Sequence, residues 1–216
     1  MPGNGGQLRL MRRGSEYAIR LGHTELMNSR LSGSEQALAT LTCRQLGNVG
    51  RPCVLVGGLG MGFTLRSVQE SLAPNALIHV VELVPAVVAW ARGPLAPIFG
   101  DSLADPRVKI LVDDVRNLIR DARKTYDAIL LDVDNGPEGL TRAANDAIYD
   151  AGGLADSYGA LRPGGVLSVW SSAPDHSFTR RLKQAGFSVE EAMVRADRGK
   201  RGTRHVIWLA KRPSHA

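Results

Sequence analysis

The sequence predicts a doubly wound α/β fold on a mostly parallel seven-stranded sheet, and three observations predict it. Short apolar runs alternate with helix-like stretches from about residue 50 onward. The run AILL at 128–131 has no polar face, as a strand covered by helices on both sides requires. The last two runs are joined by a short polar turn, which closes the sheet as an antiparallel hairpin.

In chain order, residues 7–13 and 16–20 around Gly14 and Ser15 predict a small N-terminal β-hairpin. Ser32 and Glu35 have the S-x-x-E spacing of a capping box, and Ala37, Leu38, Leu41 and Leu46 supply one apolar face of a helix ending near Gly47. Residues 1–48 thus read as a hairpin-and-helix appendage and 49–216 as the main domain. A strand at 52–56 runs into a glycine-rich turn and a helix reaching residue 72. A strand at 76–82, a helix at 85–92 with Pro85 in its first turn, and a loop marked by Pro94 and Pro97 come next. The alternation continues with a strand at 108–112, a helix at 115–124, a strand at 126–132 and a helix at 145–161. The turn Arg162-Pro163-Gly164-Gly165 leads into a strand at 166–170, then a helix at 175–185 and the closing strands at 187–194 and 205–210.

Composition narrows the classes. The 216 residues carry 27 Lys plus Arg against 21 Asp plus Glu, a net charge of +6, with 44% hydrophobic residues. That length suits one domain with a small appendage. No apolar run approaches the ~20 residues of a membrane span, and the charged N-terminus is unlike a signal peptide, so a cytoplasmic protein is expected. Cys43 and Cys53 have no CxxC spacing, which argues against a disulfide scaffold or zinc ribbon, and His23 and His176 have no partners at ligand spacing, so no metal is expected. The charge is uneven: +3 over 1–50, +1 over 51–100, −4 over 101–150 and +6 over 151–216.

In open α/β sheets ligands bind beyond the carboxyl ends of the strands, so the residues following each apolar run are the candidates. Gly57, Gly58, Gly60 and Gly62 follow the first, in a turn that lets backbone approach a ligand or simply makes a tight strand-to-helix connection. Glu82 ends the second run, about 20 residues on, where an acidic side chain accepts from ribose hydroxyls. Asp113 and Asp114 follow the third, one as an adenine partner and the other as a helix N-cap. Asp132 follows the fourth, with Asp134 and Asn135 close behind; turn formation is the other reading of these two Asp residues.

With GGLGMG at 57–62, HVVELVP at 79–85, ADPRVKILVDDVRNLI at 104–119, YDAILLD at 126–132, GPEGL at 136–140, NDAIY at 145–149 and ALRPGGVLSVW at 160–170, the chain resembles spermidine synthase and its relatives over roughly residues 50–172. The resemblance implies a class I methyltransferase-like Rossmann fold and S-adenosylmethionine or its decarboxylated form as co-substrate. It implies that Gly58, Gly60 and Gly62 hold the amino-acid part of that molecule, Glu82 its ribose and Asp114 its adenine, with Asp132 in the catalytic position. Asp134 joins Asp132 as a catalytic candidate, and Asp134, Asn135, Tyr149 and Trp170 are candidates for holding the acceptor, Tyr149 and Trp170 having core packing as their other reading. Residues 25–41 would correspond to the segment that helps close the pocket. Two departures stand out: GGLGMG lacks the carboxylate of the usual GGGDGG, and the acceptor segment reads Asp132-Val133-Asp134-Asn135-Gly136-Pro137 in place of a longer D-S-S/T-D-P segment.

Three functions follow as expectations. The first is aminopropyl transfer to a small-molecule amine, which must lose a proton before it attacks. The second is methyl transfer to a small molecule or an RNA, and the third is a binding module without catalysis. A basic turn over 195–205, with Arg195, Arg198, Lys200, Arg201, Arg204 and His205, is either an RNA-binding hairpin or a solvated turn. The resemblance also implies a possible homodimer.

Overall fold

Three antiparallel strands, β1 (Leu8–Arg13), β2 (Glu16–Leu21) and β3 (Thr24–Asn28), open the chain in a computed structural model that describes residues 7–133, 147–197 and 203–214. The third strand corrects the two-strand expectation. TELMN lacks the alternation of a half-buried strand, and its pairing with β2 is broken by a register shift between Ile19 and Arg20. Helix α1 (Gly33–Leu46) follows as expected, but Ser32 caps it without a side-chain hydrogen bond. The capping box is therefore not formed, and Glu35 is turned elsewhere.

The main sheet has seven strands: β4 (Cys53–Gly57), β5 (Leu77–Glu82), β6 (Val108–Val112), β7 (Tyr126–Leu131), β8 (Leu161–Ser171), β9 (Ser188–Arg195) and β10 (Arg204–Lys211). Their spatial order is β6-β5-β4-β7-β8-β10-β9, parallel except where β10 pairs antiparallel with β8 and β9. Helices α2 (Phe63–Ser71), α3 (Pro85–Arg92), α4 (Ala96–Phe99), α5 (Val115–Asp121), α6 (Ala151–Ala160) and α7 (His176–Gln184) connect them. Pro94 precedes and Pro97 lies in the first turn of the short α4, which a 3-10 turn at Gly100–Ala104 extends, where the prolines had suggested loop alone. The Arg162–Gly165 turn is a loop-out inside β8: Leu161 pairs with Tyr126 and Val166 with Ala128, and Gly164 adopts φ +82°. Asp114, Asp150 and Asp175 cap α5, α6 and α7 with their carboxylates, which explains where those helices begin.

Alternation along the central strands sends side chains into two cores, one on each face of the sheet. Val54, Val56, Val80 and Leu130 lie with Leu65, Phe99, Tyr17, Ile19 and Leu38 on one face. Leu55, Ile129 and Leu131 lie with Phe178, Leu182 and Trp208 on the other. The N-terminal strands and α1 therefore contribute to the same core as the main sheet, and Thr42 of α1 donates to Ser168 of β8 across 2.7 Å. Among the described residues, no helix is long and apolar enough to cross a membrane.

Candidate active site

Strand order reverses at β4, because β5 leaves on one side and β7 lies on the other, so a crevice opens past the carboxyl end of β4. The Gly58 N–H donates to the Val81 carbonyl at 2.8 Å, and the Asp132 N–H donates to the Gly57 carbonyl at 3.0 Å, tying three strand ends together. Gly58 has φ +92°, and a Cβ there would come within 2.4 Å of the Asp132 carbonyl oxygen. At Gly62, φ +77°, a Cβ would meet the Phe99 ring at 2.3 Å. Glycine is required at both positions by the protein's own packing. At Gly60, φ +50°, the nearest neighbour is the Met27 sulfur of β3, 3.3 Å from an added Cβ, so the N-terminal sheet lies against the loop. Leu59 and Met61 are buried, each 4% exposed, so both side chains of the loop are apolar and packed inward.

Glu82 is buried, and its two oxygens accept from the Leu59 N–H at 3.0 Å and the Val84 N–H at 2.9 Å. Burial pushes its carboxyl above the ordinary value, while these backbone donors, with those of Gly60 and Leu83, pull the other way. Glu82 thus braces the glycine loop, and its oxygens keep lone pairs for further donors such as ribose hydroxyls. Beyond it, Leu83 is 40% exposed and Val112, ending β6, is 54% exposed. Two apolar side chains at neighbouring strand ends offer a surface for a flat base. Asp114 is the N-cap of α5, its Oδ1 accepting from the Arg116 N–H at 2.9 Å. Asp113, exposed, accepts through Oδ1 from the Asp114 N–H at 2.7 Å and from Asn117 at 2.9 Å.

Asp132 sits half-buried at the end of β7, where the Thr64 hydroxyl donates to its Oδ2 at 2.6 Å. Its carboxyl is pushed up to about 7, first by burial and then by the like charge of Glu35, against the Thr64 hydrogen bond. Glu35 is itself raised by burial, although Ser34 donates to its Oε2 at 2.7 Å. Sequence reasoning missed Glu35 as a neighbour of Asp132, and Thr64 with it. The S-x-x-E spacing placed Glu35 in a first helical turn but could not show which way it turned.

The other candidates separate. Tyr149 is 2% exposed and packs edge-on against Phe178 with ring centres 5.6 Å apart, which puts it in the core. Trp170 is half-buried against the core on the α1 side and stacks edge-on with His205 at 4.7 Å. Asp134 and Asn135 lie outside the described residues, as do Arg198, Lys200 and Arg201 of the basic turn. Trp208 beside that turn is fully buried, and burial holds His205 below the usual histidine range.

Residues 46–185 match the family model described as the spermine/spermidine synthase domain, well over half of the chain. The chain belongs to that family. It is 32% identical over 152 residues to polyamine aminopropyltransferase 1 of Streptomyces coelicolor, covering 65% of this chain and 27% of that protein. The chain thus spans about a quarter of the length of the curated relatives it matches. Among solved structures it superposes on spermidine synthase from Thermotoga maritima with a TM-score of 0.75 at 19% identity, over 96% of this chain and 71% of that one. It also matches human methyltransferase-like protein 13, solved in complex with SAH, with a TM-score of 0.61 at 22% identity, over 84% of this chain and 80% of that one. The spermidine synthase domain thus sits on the methyltransferase-type fold, with a three-stranded sheet and α1 ahead of the strand carrying the glycine turn. Glu82 closes β5 and Asp132 directly follows β7.

Proposed function

We propose that this domain binds S-adenosylmethionine in its decarboxylated form and transfers the aminopropyl group to a small amine. The observation that carries the reading is Asp132: a half-buried carboxylate past the central strands, gripped by Thr64 and held near pH 7, in a chain of the spermine/spermidine synthase family. A base works best when its proton affinity lies near the working pH. The acceptor arrives as an ammonium, and its proton passes to Asp132. The freed nitrogen pair then attacks the carbon next to sulfur, the C–S bond breaks, and sulfur leaves with the electron pair as neutral 5′-methylthioadenosine. The protein's share is orientation and proton removal, since the sulfonium brings the electrophile. Glu82 holds the ribose, Leu83 and Val112 flank the base, and Asp113 and Asp114 lie at its rim.

Incubation with decarboxylated S-adenosylmethionine and a panel of diamines tests this directly. The expected product is methylthioadenosine, formed only when an amine is present and lost in Asp132→Asn. Formation of S-adenosylhomocysteine from S-adenosylmethionine, with no methylthioadenosine, would replace aminopropyl transfer by methyl transfer on the same fold. No turnover and no binding of either co-substrate would leave a binding module.

A further inference from the structure

The family's GGGDGG loop carries a carboxylate that GGLGMG lacks, and Met61 of that loop is buried in the core. The structure brings a carboxylate to the crevice from another direction. Helix α1 begins over the carboxyl end of β7. Its start is clamped: the Gly33 N–H donates to the Ala196 carbonyl at 2.9 Å, and a Cβ on Gly33 would lie 3.0 Å from the backbone of Arg195, Ala196 and Asp197. Ser34, 1% exposed, fixes Glu35 Oε2. The buried Thr64 hydroxyl that grips Asp132 lies 3.5 Å from the Glu35 carbonyl oxygen, so α1, α2 and β7 meet at one point.

We propose that Glu35 is a positioning residue for the transfer reaction, acting through Asp132: the clamped start of α1 sets its negative charge against the Asp132 carboxylate and keeps that carboxylate ready to take the acceptor's proton. The proposal rests on the proposed function. Glu35 is the charged group whose field acts on Asp132, and α2 contributes the Thr64 hydroxyl. Two carboxylates in one half-buried site titrate as a pair, and one retains its proton to higher pH than an isolated Asp would. An entering ammonium relieves their repulsion and hands its proton to the pair, so the arrangement favours a cationic acceptor over a neutral one. Burial is the larger cause of the raised Asp132 value, and the Glu35 charge adds to it, making Asp132 a stronger base than burial alone would.

The test follows the Asp132 side-chain carboxyl by ¹³C NMR from pH 4 to pH 9 in the wild-type domain, Glu35→Gln and Glu35→Asp. In the wild type the Asp132 and Glu35 resonances are expected to report each other's ionisation as two-step curves. Glu35→Gln should lower the Asp132 midpoint and collapse it to one step, and Glu35→Asp should restore most of the shift. The acid limb of the kcat/KM profile should move to lower pH by the same amount in Glu35→Gln. A merely structural role for Glu35 would change stability and leave both midpoints in place. Independent one-step curves in the wild type, or an unchanged Asp132 midpoint in Glu35→Gln, would overturn the proposal. The NMR arm needs no turnover, so a domain that shows the coupling but makes no methylthioadenosine would refute the proposed function separately.

Discussion

Asp132, Glu35 and Glu82 are all raised by burial, and the sign of that shift determines how folding responds to pH. Between the ordinary Asp value of 3.8 and about 7, folded Asp132 keeps a proton that the unfolded chain has released. Its contribution is therefore fully present below pH 3.8 and is lost as pH rises through about 7. Asp132→Asn should flatten the fall in melting temperature between pH 4 and pH 8, and a curve as steep as wild type would contradict the assignment. Asp105 has the opposite sign: Arg107 holds its carboxyl down at about 2, so its stabilisation is present above 3.8 and lost as pH falls through about 2. Arg107 also donates to the carbonyls of Gln69, Leu72 and Ala73, fastening the end of α2 to the strand entering β6. Arg107→Ala should cost about 2 kcal/mol in denaturant unfolding, since several charge-assisted bonds go at once and some carbonyls find water.

At the scale of elements, the glycine turn between β4 and α2 tests whether packing or ligand dictates its sequence. Gly58→Ala would drive a methyl into the Asp132 carbonyl at a positive φ, and a loss of roughly 2 to 4 kcal/mol is expected even without any ligand. Gly60→Ala meets the far end of a flexible Met27 side chain, so its strain comes mainly from φ +50° and its cost should be smaller, about 1 kcal/mol. Equal losses at both sites in thermal melts would refute this ordering. The strands were legible because AILL and CVLV are apolar on both faces, and the helix starts at Asp114 and Asp175 because carboxylates cap them. The elements that were not legible share a cause. β3 has no alternation, the Arg162–Gly165 loop-out depends on pairing with Asp127's neighbours, and the orientation of Glu35 depends on what α1 packs against; all three are set by partners far away in the sequence. Which of Asp113 and Asp114 caps α5 was not legible in the sequence; Asp114 does.

For the whole molecule, the N-terminal strands are part of the site's architecture. Tyr17 and Ile19 enter the core beneath α1, and Met27 reaches the glycine turn, so the segment is joined to the sheet at two places. Ile19→Ala, at a position 1% exposed, should cost about 2 to 4 kcal/mol and should also loosen the α1 start that carries Glu35. The charge distribution agrees with a cationic acceptor: the net +6 conceals an excess of −4 over residues 101–150, while Glu35 adds a further carboxylate to the crevice from the basic N-terminal segment. Glu82, the glycine turn and Asp132 are proposed to form one nucleoside pocket. Calorimetric titration of 5′-methylthioadenosine into the wild type and Glu82→Gln tests it most directly. The predicted result is saturable one-to-one binding that Glu82→Gln weakens by about tenfold or more, the worth of one buried charged hydrogen bond; binding of equal strength in both, or none in the wild type, would contradict it.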